Sequence, residues 1–274
     1  MKKTQKEISR EEAKVIMLDM LKDISNFCDK HNIRYYLAAG TLIGAIRHKG
    51  FIPWDDDIDI EIPRPDYNRF IELYRKEGKY SVCAPLEKNS IYFYAKVYDD
   101  QTIKYERGVD YTRFQPLGVD IDIFPTDGQP DRANERKFIR QVKRRRILQR
   151  MLFHSIFPLN AKISFKSRIV RIICHILPKN IICRLYIKSA TRYSFENSSM
   201  AGFVAPYKGY DVKHRHRKEV YNDRVKVQFE DGEYWAPIGY DEYLRDVYGD
   251  YMQLPSVEKR VSHHLSKEFW KDKE

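Results

Sequence analysis

Residues 36–62 read YLAAGTLIGAIRHKGFIPWDDDIDIEI, and the rest of the chain is organised around them. The run from Tyr35 to Ala39 is short and apolar, as a buried strand is. Gly40-Thr41 breaks it, and Leu42 to Ile46 can begin a helix. A loop with Gly50 and Pro53 leads to three acids, Asp55, Asp56 and Asp57, and then to the alternation Ile58, Asp59, Ile60, Glu61, Ile62. Successive side chains on a strand point to opposite faces. The spacing therefore predicts Asp57, Asp59 and Glu61 on one face and the isoleucines on a core face. Adjacent carboxylates repel one another. A divalent cation removes that penalty, and carboxylate oxygens are the ligands Mg²⁺ prefers. The competing structural reading is the solvated face of an edge strand. The Gly-Thr turn weighs against it, because a turn entering a helix N-terminus can hold phosphate through its backbone N–H groups.

A second stretch repeats the pattern. Residues 118–125 read GVDIDIFP, with Val119, Ile121 and Ile123 on one face and Asp120 and Asp122 on the other. Two strands that each carry Asp-x-Asp on a polar face are explained by a metal site fed from both. Such a site, with room for two Mg²⁺, suits phosphoryl transfer, in which catalysis is mostly positioning and charge neutralisation.

Three blocks, GTLIGAIRHKGFIPWDDDIDI (40–60), VDIDIFPTDG (119–128) and YDEYLRDVYGDYMQLPSVEKR (240–260), resemble the LicD family of phosphocholine transferases. That family is similar to the nucleotidyltransferase-fold enzymes. The resemblance implies an α+β fold: a nucleotidyltransferase-like mixed β-sheet with flanking helices, here interrupted by a basic helical insertion. It implies a CDP-activated donor, CDP-choline first, and a sugar hydroxyl of a bacterial cell-surface glycan precursor as acceptor, with CMP released. Teichoic acid, capsule and lipopolysaccharide are the acceptor classes it suggests, on a lipid-linked carrier. Asp57 and Asp59 are the expected metal ligands. Asp122, the acid directly before Ile-Phe-Pro, matches the family pattern as the third ligand and is the candidate general base. Asp120 shares its face and stands behind it. Of Asp55 and Asp56, one is expected to reach a second metal or to cap the loop. Gly40 and Thr41 are expected to bind phosphate, and Arg47 and His48 to neutralise its oxygens. For His48, packing in the loop is an equal alternative, and Trp54 reads as a lid or packing residue.

The 274 residues carry a net charge of +11, and the charge is regional. Between Arg132 and Arg192 lie 17 of the 50 Lys and Arg but only one acid, Glu135, so that stretch carries +16 and the remainder −5. An anionic partner is therefore expected for this region alone. Its helices, Asp131–Phe157, Ile163–Leu177 and Ile181–Tyr193, are broken by Pro158 and Pro178. None has the ~18 consecutive apolar residues of a span. Basic helices with apolar faces fit the surface of an anionic membrane, and a helical subdomain with a solvated basic face is the alternative. Nucleic acid is not expected, since no base-readout motif accompanies the charge. The four cysteines form no C-x-x-C pair, and no apolar run follows Lys2-Lys3 as a secretory signal requires. These features lead to an expected cytoplasmic enzyme, peripheral on the inner face of the membrane.

Three parts are expected: a catalytic core over 1–130, the basic helical segment over 131–200, and a C-terminal part over 201–274 that completes the site. Ser9 and Glu12 predict a capped first helix to His31. Tyr92–Tyr98 and Thr102–Tyr105 read as a hairpin through Asp99-Asp100-Gln101, and Val225–Phe229 with Tyr234-Trp235 as a second around Asp231-Gly232. Choline is a quaternary ammonium that aromatic faces attract. Trp235, Tyr240, Tyr243, Tyr248 and Tyr251 are candidates for a cage, against the ordinary alternative that they are core. His263 and His264 are candidate metal ligands or simply an exposed helix end. Two rival functions are a metal-dependent glycosyltransferase, which would use Asp57 and Asp59 but not Asp122, and a non-catalytic membrane-surface binding protein.

Overall fold

The computed structural model describes residues 5–159, 165–203, 212–261 and 266–272. Helix α1 (Arg10–Lys30) starts where two side chains satisfy its loose N–H groups: Glu12 N–H donates to Ser9 Oγ, and Ser9 N–H donates to the Glu12 carboxylate. Met17, Met20, Leu21, Ile24, Phe27 and Cys28 form its buried face. Strand β1 (Tyr36–Leu37) leads directly into α2 (Ala39–Ile43), which runs on through a π-helical turn at Gly44–His48. The break in the chain thus falls one residue before the expected Gly40-Thr41. Ala38 is extended, Ala39 takes φ 45°, and Gly40 and Thr41 lie in the first helical turn.

Strand β2 (Asp59–Pro63) is followed by α3 (Arg64–Glu77), β3 (Ser81–Cys83), β4 (Ala95–Tyr98), β5 (Thr102–Glu106) and the long β6 (Asp120–Gln129). Three helices follow: α4 (Glu135–Ile156), α5 (Phe165–Ile176) and α6 (Lys179–Ala190). The chain returns as β7 (Met200–Phe203), β8 (His216–Arg217), β9 (Arg224–Phe229), β10 (Gly232–Pro237), α7 (Tyr240–Tyr248) and β11 (Ser266–Trp270).

The fold is α+β. One mixed sheet runs β1-β2-β6-β4-β3, and β7 and β8 extend it from β6. Strand β6 lies between parallel β2 and antiparallel β4 in its first half, and pairs with β7 in its second. Being buried on both faces, it is nearly all apolar or small apart from its acids. Ile60, Ile62, Ile121 and Ile123 are fully buried, and α1 and α3 pack on this region of the sheet. Arg64, at the start of α3, makes two 2.7 Å bonds to the Asp127 carboxylate and so locks that helix to β6.

One expected pairing does not occur. β4 and β5 form no hairpin ladder: both edges of β4 are taken, by β3 and β6, and β5 pairs instead with β11. The second expected hairpin is β9–β10, with Gly232 opposite Phe229. Helices α4 and α6 join a second apolar cluster, in which Leu152, Ile156, Ile182 and Tyr186 meet Phe93 and Phe114; Tyr186 stacks on Phe93 at 3.8 Å.

Candidate active site

The parallel register of β2 and β6 sets Asp59 opposite Asp122, and Asp122 N–H donates to Ile58 O at 3.0 Å. Opposed residues of parallel strands point to the same face. The carboxylates of Asp59 and Asp122 therefore share a face, and Asp120 lies two residues upstream on it. Asp57 precedes β2 and belongs to the loop rather than to the strand face. The Asp59 carboxyl is held well above the usual range, by burial first and then by Asp57, Asp122 and Asp55, with Lys96 the opposing charge. Burial also raises Asp122, against the pull of Lys96.

Lys96 joins the site without being marked by any sequence motif. From β4, directly opposite Asp122, its ammonium donates to Asp122 Oδ1 at 2.5 Å and to Asp120 Oδ1 at 2.9 Å. It also lies 4.4 Å from the centroid of the Tyr92 ring. Burial alone would lower this lysine; Asp120 and Asp122 outweigh that and keep it charged. Lys104 of β5 reaches Asp120 at 3.4 Å and Glu268 of β11 at 3.8 Å. Burial would raise Asp120, but Lys104 and Lys96 bring it below the ordinary value. Asp120 is therefore the inner member of a lysine-paired cluster, and Asp122 is the outer member that faces Asp59. The available clue was a lysine alternating with Ala95 and Val97 in an otherwise apolar strand.

The helix-entry turn braces the acids. Thr41 Oγ1 accepts the N–H of Asp59 at 2.8 Å, and Ala38 N–H donates to Asp59 O at 3.0 Å. The Tyr243 hydroxyl accepts Ala39 N–H at 3.4 Å. A Cβ on Gly40 would lie 2.4 Å from Asp55 Oδ2, so glycine there lets the Asp55 carboxylate lie against the backbone. Arg10 holds the Asp55 carbonyl at 2.7 Å. Burial raises the Glu268 carboxyl, and the charge of Asp56 adds a smaller push in the same direction.

Arg47 and His48 end the π-helical turn. Arg47 donates to the carbonyls of Tyr251 and Gln253 at 2.5 and 3.4 Å and to His48 Nε2 at 2.9 Å, so it fastens the segment after α7. Burial, then Arg47, lowers His48. His48 meets the Trp54 ring edge-on at 6.4 Å, and Arg260 lies over that ring at 5.6 Å.

The aromatic cage candidates each pack against other groups of the protein. Trp235 donates to Asp29 at 2.9 Å and carries Arg224 and Lys226 over its ring at 4.1 and 4.3 Å. Tyr243 is fully buried, stacked on His216 at 4.6 Å. Tyr251 donates to Asp241 at 2.8 Å, while Tyr240 and Tyr248 pack at the margin of the main core. His263 and His264 lie outside the described residues.

Among the described residues no three Asp, Glu, His or Cys side chains close into a ligand cage. Lys96 draws Asp122 to itself. The donor chemistry nonetheless fits a hard dication: Asp55, Asp57 and Asp122 all raise Asp59, and one lysine is the positive charge that opposes them. Asp57, Asp59 and Asp122 are the residues that would hold it.

A family profile, the LicD/FKTN/FKRP nucleotidyltransferase domain, matches residues 32–171. The chain is 32% identical over 272 residues to the lipopolysaccharide cholinephosphotransferase LicD of Haemophilus influenzae, covering 96% of this chain and 99% of that one. It is also 42% identical over 57 residues to an uncharacterized protein of Rickettsia typhi, 21% of this chain and 18% of that one. A second uncharacterized protein, of Rickettsia prowazekii, is 46% identical over 50 residues, 18% of this chain and 19% of that one.

Proposed function

The chain belongs to the LicD family and is a transferase, and from that premise we propose that it moves phosphocholine from CDP-choline to a sugar hydroxyl of a bacterial cell-surface glycan, releasing CMP. Lipopolysaccharide is the acceptor class named for the Haemophilus relative and the first to test. The observation that carries the chemistry is the register of Asp59 against Asp122, with Asp57 and Asp55 beside them.

Magnesium held by Asp57, Asp59 and Asp122 would supply charge neutralisation for the donor diphosphate. The chain's own groups do the rest. Asp122 accepts the proton of the acceptor hydroxyl as its oxygen attacks the phosphorus that bears choline. The bond from that phosphorus to the bridging oxygen breaks, and CMP leaves with the electron pair. Lys96 holds one oxygen of Asp122 in place for this step. Thr41 and Ala38 hold the Asp59 backbone from both sides, so its carboxylate cannot follow a shift of the loop. Arg47 ties the segment after α7 against the same turn, where the donor phosphates would enter.

A thermal-shift panel with Mg²⁺ separates the donors. CDP-choline, CDP-ethanolamine, CDP-glycerol, CDP-ribitol and UDP-sugars are compared, because a ligand raises Tm according to its concentration over its Kd. The proposal expects the largest shift with CDP-choline, and CMP release when an acceptor glycan is added. A shift with UDP-sugars alone would move the assignment to glycosyl transfer.

A further inference from the structure

Helix α5 is inside out. Arg171 is 3% exposed and Cys174 is buried with it, while Ile169, Ile172, Ile173 and Ile176 face outward, Ile173 at 53% and Ile176 at 76% exposure. At about 100° per residue these four isoleucines, with Val170, cover an arc of roughly 160°. A helix in water does the opposite. The inward arginine is anchored: it donates to Pro158 O at 2.6 Å and lies over the Phe157 ring at 5.6 Å. The orientation is thus set by specific bonds to the end of α4. The outward face of α6 continues the theme, with exposed Ile181 and Leu185 sharing a stripe with Arg184 and Lys188. Helix α4 adds an exposed row of Arg136, Arg140, Lys143 and Arg150.

We infer that α5 and α6 lie in the headgroup layer of a bilayer rich in anionic lipid. Two properties coincide at this surface and together select that occupant. The isoleucines lose the cost of exposure when they sink among acyl chains, and the basic residues between them meet lipid phosphates. A second protein copy would answer the apolar face but would bring together two surfaces of a +16 segment. No helix among the described residues is long and apolar enough to cross a membrane, and the inferred attachment is interfacial. This inference is independent of the transfer chemistry.

The test is cosedimentation of the full chain with vesicles of phosphatidylcholine alone or mixed with phosphatidylglycerol, at 0.1 and 0.5 M NaCl. Partition into the anionic vesicles should exceed that into neutral ones by at least tenfold and should weaken with salt. The triple variant Ile172→Glu, Ile173→Glu, Ile176→Glu should lose at least tenfold at both salt concentrations. The pair Arg184→Glu and Lys188→Glu should weaken binding mainly at low salt, where charges are least screened. Binding that survives the isoleucine changes would mean charge alone, as for any polyanion, and overturns the inference. So does an absence of binding by the parent chain, or a dimer that the isoleucine changes split into monomers. Should the triple variant fail to fold, Ile173→Trp serves instead. Its emission should shift to the blue on adding anionic vesicles, and an unmoved spectrum is equally fatal.

Discussion

Lys96 and Asp122 stand opposite each other on antiparallel strands, with 2.5 Å between the ammonium and Asp122 Oδ1. The lysine also holds Asp120, which is buried, while the Asp122 side chain keeps 15% of its exposure. Removing one partner of a buried ion pair leaves the other uncompensated, a loss of about 3–5 kcal/mol. Lys96→Met should therefore lower stability by about 3 kcal/mol in chelator-treated protein. Millimolar Mg²⁺ should recover part of that loss, because a dication can replace the missing ammonium. Paired melts with and without Mg²⁺ measure it. A loss unaffected by Mg²⁺ would mean that Lys96 and the cation serve different carboxylates.

Asp59 is the carboxylate on which the other charges press hardest. Asp59→Asn removes that repulsion, and without a dication it should leave stability unchanged or raise it by about 1 kcal/mol. The same change should reduce CMP release at least a hundredfold, since charge stabilisation at a phosphoryl centre is worth that much or more. Asp122→Asn should lose comparable activity. Near-normal turnover by Asp122→Asn would favour the glycosyltransferase alternative.

Gly40 and Asp55 are in contact across the loop, with room for a Cβ only if the carboxylate moves. Gly40→Ala should cost little stability, about 1 kcal/mol or less, because a single carboxylate can swing aside. Its effect on activity should match that of Asp55→Ala, and the double variant should be no worse than either. Residues in contact are expected to be non-additive in this way. Additive losses in a double-mutant cycle would show that the two act separately.

His214 gives a pH dependence of its own. Burial, then His216 and Lys213, hold its pKa well below the ordinary 6.5. The unfolded chain therefore binds a proton that the folded chain refuses, so the stability due to neutral His214 is whole above 6.5 and is lost as pH falls below it. His214→Phe, which can keep the 3.9 Å ring contact with Phe203, should flatten the stability profile below pH 6.5. Urea melts across that window check it. An unchanged slope would place the titration on another group.

Much of this arrangement is readable in one dimension, for definite reasons. The capping pair Ser9/Glu12 and the β9–β10 hairpin depend on residues within a few positions of each other. The hairpin expected between β4 and β5 failed because pairing is a competition. β4 finds two better neighbours, and β5 is left for a strand about 160 residues further on. No motif marks Lys96, because only the cross-strand neighbour shows whether a strand lysine is solvated or spent on an acid.

The order of residues alone determined that two segments carry acids on one face and isoleucines on the other, since a strand's twofold alternation is a property of its own backbone. It also determined that the positive charge is concentrated in one helical segment, 132–192. Which acid faces which was decided only in three dimensions. Register between β2 and β6 set Asp59 against Asp122, and the lysines of β4 and β5 divided Asp120 from Asp122. The direction of α5 was likewise a tertiary outcome. Its sequence has an apolar face either way, and the anchoring of Arg171 beneath Phe157 and Pro158 turns that face outward.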